Sequence, residues 1–435
     1  MEKLMQYIWQ HRLWSLTEMS TVDGRSVRVI DPGTLNNDSG PDFFNAKIKI
    51  DGNLWVGNVE IHTRASDWKR HKHDKDKAYD SVILHVVEKD DAPVYRTNGE
   101  LIPQMILNYS HDFTTKYTNL INSSSHLPCA EQIKNTPSIV IAEWVQTLAF
   151  ERLQTKTERI LNFYESSCGN WEEVCYITLS RNLGFGINND AFERLARCTP
   201  LKFLHKHCDS LLQIEALLFG QAGMLNKSNR PGDAYYQNLC KEYDFLANKF
   251  SLSPMNEESW KSFRIRPQNF PHRRIAMLAH FILDGFCLME NILNAKGEED
   301  LRKLFSIELT GYWANHYSFG DSASCSQKAL GNSSIDIILI NTVAPLYYAH
   351  STVTNNHDTA EKAISLLESL RPEKNSIVST FSHAGVTCND ALSTQAVIQA
   401  YKEYCCHRKC LYCTIGHRLL SQMAITSPNC ENARV

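Results

Sequence analysis

The stretch from Ser39 to Glu88 constrains the fold most, because its pattern predicts strand, turn, strand, helix and strand in succession. Residues 43–50 and 54–62 alternate between polar and apolar side chains, and the Asp-Gly pair between them is typical of a tight hairpin turn. The charged segment 66–80 predicts a helix, and the β-branched run 82–87 predicts a buried strand. This stretch therefore predicts a mixed α/β core.

Three polar side chains of this core are expected to converge. Glu60 and His62 are two residues apart on a strand and share a face, while Asp42 lies at the start of the preceding strand, where a hairpin brings it near them. Two carboxylates at one place suit a hard divalent cation such as Mg²⁺. The imidazole of His62 titrates near neutrality and can act as acid or base, and it also favours Mn²⁺ or Zn²⁺.

The order of these residues resembles the core of the PD-(D/E)XK nuclease superfamily: Pro41-Asp42, a hairpin, Glu60-Ile61-His62, then helix and strand. The resemblance implies a restriction-endonuclease-like α/β core in which Asp42 and Glu60 bind Mg²⁺ or Mn²⁺. It also implies that His62 replaces the lysine that orients or activates the attacking water in that superfamily.

Some of these nucleases take one more ligand from a helix, which would make Glu2 or Glu18 a candidate. A solvated surface position is the simpler interpretation of both residues.

The segment after Glu60 carries further candidates. His71, His73 and His85 are possible ligands or supporting residues, although positions two apart on a helix face different directions. A histidine inside an apolar strand, such as His85, is more often a core residue. Lys69 and Arg70 belong to a basic run that is either a solvated face or a surface that contacts phosphates.

A second basic segment, Lys261–Arg274, contains no acidic residue and interleaves aromatic side chains with cationic ones. Arg264, Arg266, Arg273 and Arg274 would suit contacts with a nucleic-acid backbone. The equally weighted alternative is a structured connection whose arginines pair with carboxylates elsewhere.

The carboxyl-terminal part contains Cys405, Cys410 and Cys413, a spacing that fits a tetrahedral metal site with one further ligand. The candidates for the fourth ligand are Cys129, Cys388, Cys406, His407 and His417. Some helicase-linked and CRISPR-linked nucleases that resemble PD-(D/E)XK proteins hold a 4Fe–4S cluster in a similar way, which would select Cys129. Zinc is the plainer interpretation, and a reduced, buried cysteine cluster is the alternative without metal.

Composition sets broad limits. The chain has 435 residues, 43% of them hydrophobic and 21% charged, which suits a globular protein of two or three domains. The net charge of −3 gives no overall basic field, so a nucleic-acid site would have to be a local patch. We found neither a signal-peptide core nor an apolar run that could span a membrane, and we expect a cytoplasmic protein.

The pattern divides the chain into an α/β core at 1–110, a polar linker at 111–136, a mainly helical domain at 137–380 and a helical carboxyl-terminal segment at 381–435. Within the helical domain it predicts continuous helices over 201–219 and 275–293. The sequence does not indicate the oligomeric state.

Most of the chain also resembles a family of bacterial proteins without an assigned function, through GPDFFNA, GNVEIH, DWKRHKHDKDKAYDSVILHVV, RPQNFPHRR and CLYCTIG. The leading hypothesis is a metal-dependent phosphodiesterase that acts on DNA or RNA. The first alternative is a catalytically degenerate nucleic-acid-binding or scaffold protein. The second is a zinc-dependent hydrolase of a small substrate.

Overall fold

The computed structural model describes residues 1–15, 19–225, 233–322 and 329–421, which form two compact units. The first unit comprises Met1–Trp144, His383–Val386 and the described residues from Ala400 onward. The second comprises Val145–Ser382 and Thr387–Gln399. The carboxyl-terminal segment that carries the predicted cysteine site is therefore part of the same unit as the amino-terminal α/β core.

The first unit is built on a seven-stranded mixed sheet. Its strands are β1 (Met19–Ser20), β2 (Ser26–Asp31), β3 (Thr34–Leu35), β4 (Phe43–Ile50), β5 (Asn53–Arg64), β6 (Val82–Lys89) and β7 (Gln104–Ile106). The order is β1-β2-β4-β5-β6-β7, with β3 also paired to β4. Pairs from β1 to β5 are antiparallel, whereas β5-β6 and β6-β7 are parallel.

The central hairpin follows directly from local sequence. Asp51 and Gly52 have φ values of 49° and 80°, which is the left-handed pair that a two-residue turn between twisted strands requires. Along β4, Ala46, Ile48 and Ile50 point into the core while the residues between them are exposed. The predicted mixed α/β core is confirmed.

The helices of the first unit pack on this sheet or flank it. They are α1 (Glu2–Gln10), α2 (Asp67–Arg70), α3 (His111–Ile121), α4 (Ala130–Ile133) and the helix Thr414–Ser421, with short 3₁₀ turns at His73–Lys75, Lys77–Ser81 and Cys410–Tyr412 and a π-turn at Ala400–Cys405. The predicted linker 111–136 contains α3 and α4, and Phe113, Leu120 and Ile133 are buried. This segment is therefore a folded part of the unit, anchored by these buried apolar side chains.

The second unit is almost entirely helical, as the pattern predicted. Its helices are Ser138–Ser166 (from Val145 onward), Trp171–Leu183, Asn189–Cys198, Leu201–Leu204, Leu211–Gln221, Ala234–Phe250, Pro271–Ile282, Leu288–Asn294, Glu298–Leu304, Asn332–Ile338, Ala344–Thr354, His357–Ser369, Ser376–His383 (to Ser382) and Ala391–Gln399. Shorter elements are 3₁₀ turns at His205–His207, Glu257–Ser259, Pro267–Asn269 and Gly311–Ala314, a π-turn at Leu339–Val343 and the strands β8 (His316–Ser318) and β9 (Asp321–Ser322).

Two helices predicted as continuous are each divided in two. The second break lies at Asp284 and Gly285, whose positive φ values of 64° and 104° are incompatible with a helix. No helix among the described residues combines the length and apolar character needed to cross a bilayer.

Candidate metal centre

The two predicted carboxylates lie side by side where β4 begins and β5 nears its end. The backbone N–H of Asp42 donates to Glu60 Oε2 at 2.9 Å, and the backbone N–H of Ile61 donates to Asp42 Oδ2 at 3.0 Å. The side-chain amide of Gln6, on α1, donates to Asp42 Oδ1 at 2.9 Å. The hairpin register, which places Phe43 opposite Val59, makes this reciprocal arrangement possible.

Two histidines from neighbouring parallel strands complete the floor of the centre. Glu60 is in register with His85 of β6, so both side chains point to the same face of the sheet. His62, two residues beyond Glu60, places Nδ1 2.9 Å from His85 Nε2 and Nε2 3.5 Å from Glu60 Oε1. His62 is 1% exposed and His85 is fully buried, so the imidazoles form a closed layer beneath the carboxylates.

The predicted helix after β5 ends at Arg70, and this early end brings two more histidines into the centre. Lys72 adopts a left-handed conformation with φ of 65° and reverses the chain direction between His71 and His73. His73 then stacks on Tyr79 with ring centroids 3.7 Å apart.

As a result, His62 Nε2 lies 3.1 Å from His71 Nδ1, and His73 Nε2 lies 3.4 Å from Glu60 Oε1. The argument that positions two apart diverge fails here because these residues are not on a helix.

Burial shifts the pKa values of the acids and imidazoles in the centre. Burial is the main reason that the pKa of Asp42 is raised to about 7, and the negative charge of Glu60 is the second. Burial also raises the pKa of Glu60 to about 8. Burial, and to a smaller extent the adjacent His85, lowers the pKa of His62 to about 2. Burial also lowers the pKa of His85 to about 3. The imidazoles of His62 and His85 are therefore neutral at physiological pH.

The donor set fits a divalent cation. One ligand atom each from His62, His71 and His73 lies within 4.8 Å of the others, and the Glu60 carboxylate is next to two of these rings. Within the described residues, neither Asp42 nor Glu60 forms an ion pair with a lysine or an arginine. Neutral imidazole nitrogens and carboxylate oxygens without a positive partner are the ligands that Zn²⁺ and Mn²⁺ take.

Glu2 contributes a further carboxylate, which the simpler sequence interpretation had placed on the surface. Its Oε1 lies 3.9 Å from His62 Nε2, and its side chain is 40% exposed. Gln6 and Tyr79 were missed by sequence reasoning, since a glutamine on an amphipathic helix and a tyrosine in a charged segment carry no distinctive signal. Glu18 lies outside the described residues.

Exposed basic residues flank His71 in the sequence. His71 is exposed above the buried rings, and the following exposed residues surround it in sequence: Lys69, Arg70, Lys72, Lys75 and Lys77. Arg70 pairs with Asp67 at 3.0 Å. A cleft of 560 Å³ beside α1 is lined in part by Lys3, Gln6 and His11. Gln6 thus contacts both the cleft and Asp42.

The arginines of the second predicted basic segment, Lys261–Arg274, differ in exposure. Arg264 and Arg266 are exposed in the second unit. Arg273 and Arg274 are 0% and 2% exposed, and therefore cannot present their guanidinium groups to a nucleic acid as predicted. Arg273 donates to the backbone carbonyls of Trp313 and His316 at 2.8 and 3.1 Å, so its role is to satisfy interior acceptors.

The structure places Cys129, Cys405, Cys410 and Cys413 in the first unit. A family model described as "Protein of unknown function (DUF2851)" matches residues 2–376. The chain belongs to the DUF2851 family. The matched residues include the whole histidine–carboxylate centre and Cys129, and they end before Cys405. No curated protein and no solved structure matches the chain.

Proposed function

We propose that the histidine–carboxylate centre binds a divalent cation and that the protein hydrolyses phosphodiester bonds of a nucleic acid there. The observation that carries the proposal is the convergence of Asp42, Glu60 and His62, where no lysine or arginine of the described part of the chain neutralises the acids. Burying two adjacent carboxylates is unfavourable unless they hold protons or a cation. A protein that retains both acids at this cost has a use for the cation.

The restriction-endonuclease-like nature of the core is part of this proposal. It is supported by the antiparallel β4-β5 hairpin followed by a parallel β6, with the acids on the two strands of the hairpin. The imidazole-rich donor set favours Mn²⁺ or Zn²⁺ over Mg²⁺, because Mg²⁺ prefers oxygen ligands. When bound, the cation would lower the pKa of a water molecule and stabilise charge on the phosphate.

The residues of the histidine–carboxylate centre have distinct roles in this proposal. Asp42, held by Gln6 and the Ile61 N–H, and Glu60, held by the Asp42 N–H, are oriented before any cation arrives. His62 is better suited as a ligand than as a general base, because an imidazole with a pKa of about 2 holds a proton poorly. His85 fixes the ring of His62 by contact with Nδ1.

The substrate class follows from the basic residues on the solvent side. Lys69 and Arg70, with the exposed lysines that follow them, offer positive charge beside the exposed His71. Such a surface attracts phosphates, and the overall charge of the protein does not. We place the substrate backbone across this surface. Arg264 and Arg266 remain candidate contacts as a separate exposed pair.

The proposal is tested by incubating labelled single-stranded and double-stranded DNA and RNA with the protein and Mg²⁺, Mn²⁺ or Zn²⁺. We expect cleavage that chelation abolishes and that Asp42→Asn or Glu60→Gln reduces by about a thousandfold. Asp38→Asn is the matched control, since Asp38 is an exposed acid in the preceding loop. Salt-sensitive binding without cleavage under any of these conditions would contradict the proposal and favour a degenerate binding protein.

One observation favours a second candidate, a zinc-dependent hydrolase of a small substrate. Three imidazoles within 4.8 Å of one another are a donor set typical of catalytic zinc. This candidate predicts hydrolysis of small phosphate or carboxylic esters by the zinc-loaded protein, with loss in His73→Ala but no change in Lys69→Ala. Dependence of the rate on Lys69 would favour the polymeric substrate.

A further inference from the structure

Two distant segments of the chain, which carry the four cysteines between them, are tied to each other. Arg408 donates from Nη2 to the backbone carbonyl of Ser123 at 2.8 Å, and the Tyr401 hydroxyl lies 3.4 Å from His126 Nδ1. Cys129 and Cys410 both pack against the core beneath the sheet. These contacts join the loop before α4 to the segment that carries the other three cysteines.

The backbone of the carboxyl-terminal segment turns tightly between its cysteines. A π-turn ends at Cys405, and Arg408, with φ of 52°, turns the chain into the 3₁₀ turn that begins at Cys410. A Cβ atom at Gly416 would clash with the carbonyl oxygen of Cys410, so only glycine lets the following helix pack this closely. Irregular helical turns of this kind are frequent at functional sites.

The thiols are close enough for their charges to interact. Burial, followed by the charges of Cys413 and Cys410, raises the pKa of Cys129 to about 12. Burial, followed by Cys129 and the other two thiols, also raises the pKa of Cys405. The thiols of Cys129 and Cys405, which resist ionisation, would be inert unless a strongly binding metal displaced their protons.

The spacing of the sulfurs discriminates between metals. All four cysteines are described, yet no three of their sulfur atoms lie within 4.8 Å of one another. A single zinc ion holds sulfurs at about 2.3 Å and hence about 3.8 Å from each other. A 4Fe–4S cluster, with one iron behind each sulfur, holds the sulfurs farther apart than a single zinc ion does. A separation wider than one zinc ion requires favours the cluster.

We propose that Cys129, Cys405, Cys410 and Cys413 ligate a 4Fe–4S cluster. The proposal is independent of the activity at the histidine–carboxylate centre. The cluster would cross-link two distant segments of the first unit. His417, four residues after Cys413, lies 2.6 Å from the hydroxyl of Tyr7 on α1, and Leu411 packs in the same core as α1. The cluster would therefore fix the carboxyl-terminal segment against α1, the helix that carries Glu2 and Gln6.

The test is anaerobic purification of the full chain, reconstitution with ferrous iron and sulfide, and measurement of absorbance and metal content. We expect a brown protein with absorbance at about 400 nm and about four iron and four sulfide ions per chain. About one tightly bound zinc ion per chain that iron and sulfide do not replace would overturn the proposal. Failure to bind either metal would also overturn it.

Variants identify the ligands. Cys405→Ser and Cys129→Ser are each expected to lose at least about tenfold of the bound iron. Cys406→Ser is the control, since Cys406 is exposed beside Cys405 and should keep full occupancy. A Cys129→Ser protein with a complete cluster would overturn the four-cysteine assignment. If a variant fails to fold, the electron paramagnetic resonance spectrum of the reduced wild-type protein still distinguishes a cluster from zinc.

Discussion

Glu215 allows the most direct quantitative prediction, because it is a buried acid of the helical unit that does not belong to the candidate centre. The Tyr235 hydroxyl donates to its carboxylate at 2.6 Å, and the residue is 3% exposed. Burial raises its pKa to about 7, against 4.5 for the free side chain. Between these two pH values the folded protein holds a proton that the unfolded chain has released, so stability falls as pH rises across this window.

The size of the effect follows from the shift. About 2.5 pKa units at about 1.36 kcal/mol each correspond to a loss of about 3 kcal/mol between pH 4.5 and 7. Glu215→Gln removes the titrating group and keeps an acceptor for Tyr235, so the variant should lack this loss.

The assay is urea unfolding at pH 5 and pH 8, with the exposed Glu368→Gln as control. If wild type and Glu215→Gln change in parallel between these pH values, the reasoning about burial is refuted.

Three further changes test individual contacts. Gln6→Ala removes the hydrogen bond that holds Asp42 and should weaken cation binding, measured by calorimetry, by about tenfold. Gln10→Ala, at an exposed position of the same helix, should leave the affinity unchanged. Equal affinities of the two variants would contradict a positioning role for Gln6. Arg273→Met should lower the free energy of unfolding by about 3 kcal/mol because two interior carbonyls lose their donor, and an unchanged urea midpoint would argue against this. Gly33→Ala should cost about 2 kcal/mol, since its φ is 88° and the new Cβ would lie 2.6 Å from a carbonyl of β4; full stability would refute the clash.

The central sheet was predictable because its signals are local. The Asp51-Gly52 turn and the alternation along β4 fix the hairpin register, and register fixes which side chains share a face. The meeting of Asp42, Glu60 and His62 follows from that register alone. The sequence spacing also grouped Cys405, Cys410 and Cys413, and their role as metal ligands stays a prediction.

The positions of the other site residues depend on tertiary structure and on backbone conformations that the sequence does not indicate. Lys72 has no intrinsic preference for a left-handed conformation, so the turn that brings His71 and His73 together could not be anticipated. Gln6 reaches Asp42 only through tertiary packing of α1. Arg273 and Arg274 looked like surface cations, but both lie in the first turn of the helix Pro271–Ile282 and donate to interior carbonyl and amide acceptors.

The most direct test of the account is anomalous X-ray scattering from crystals grown with Mn²⁺ or Zn²⁺. We predict a peak at about 2.0–2.3 Å from a Glu60 oxygen and from at least two imidazole nitrogens of His62, His71 and His73, which disappears in Glu60→Gln. Crystals saturated with either ion that show no peak among these side chains, with Asp42 and Glu60 still bonded only to protein groups, would contradict it.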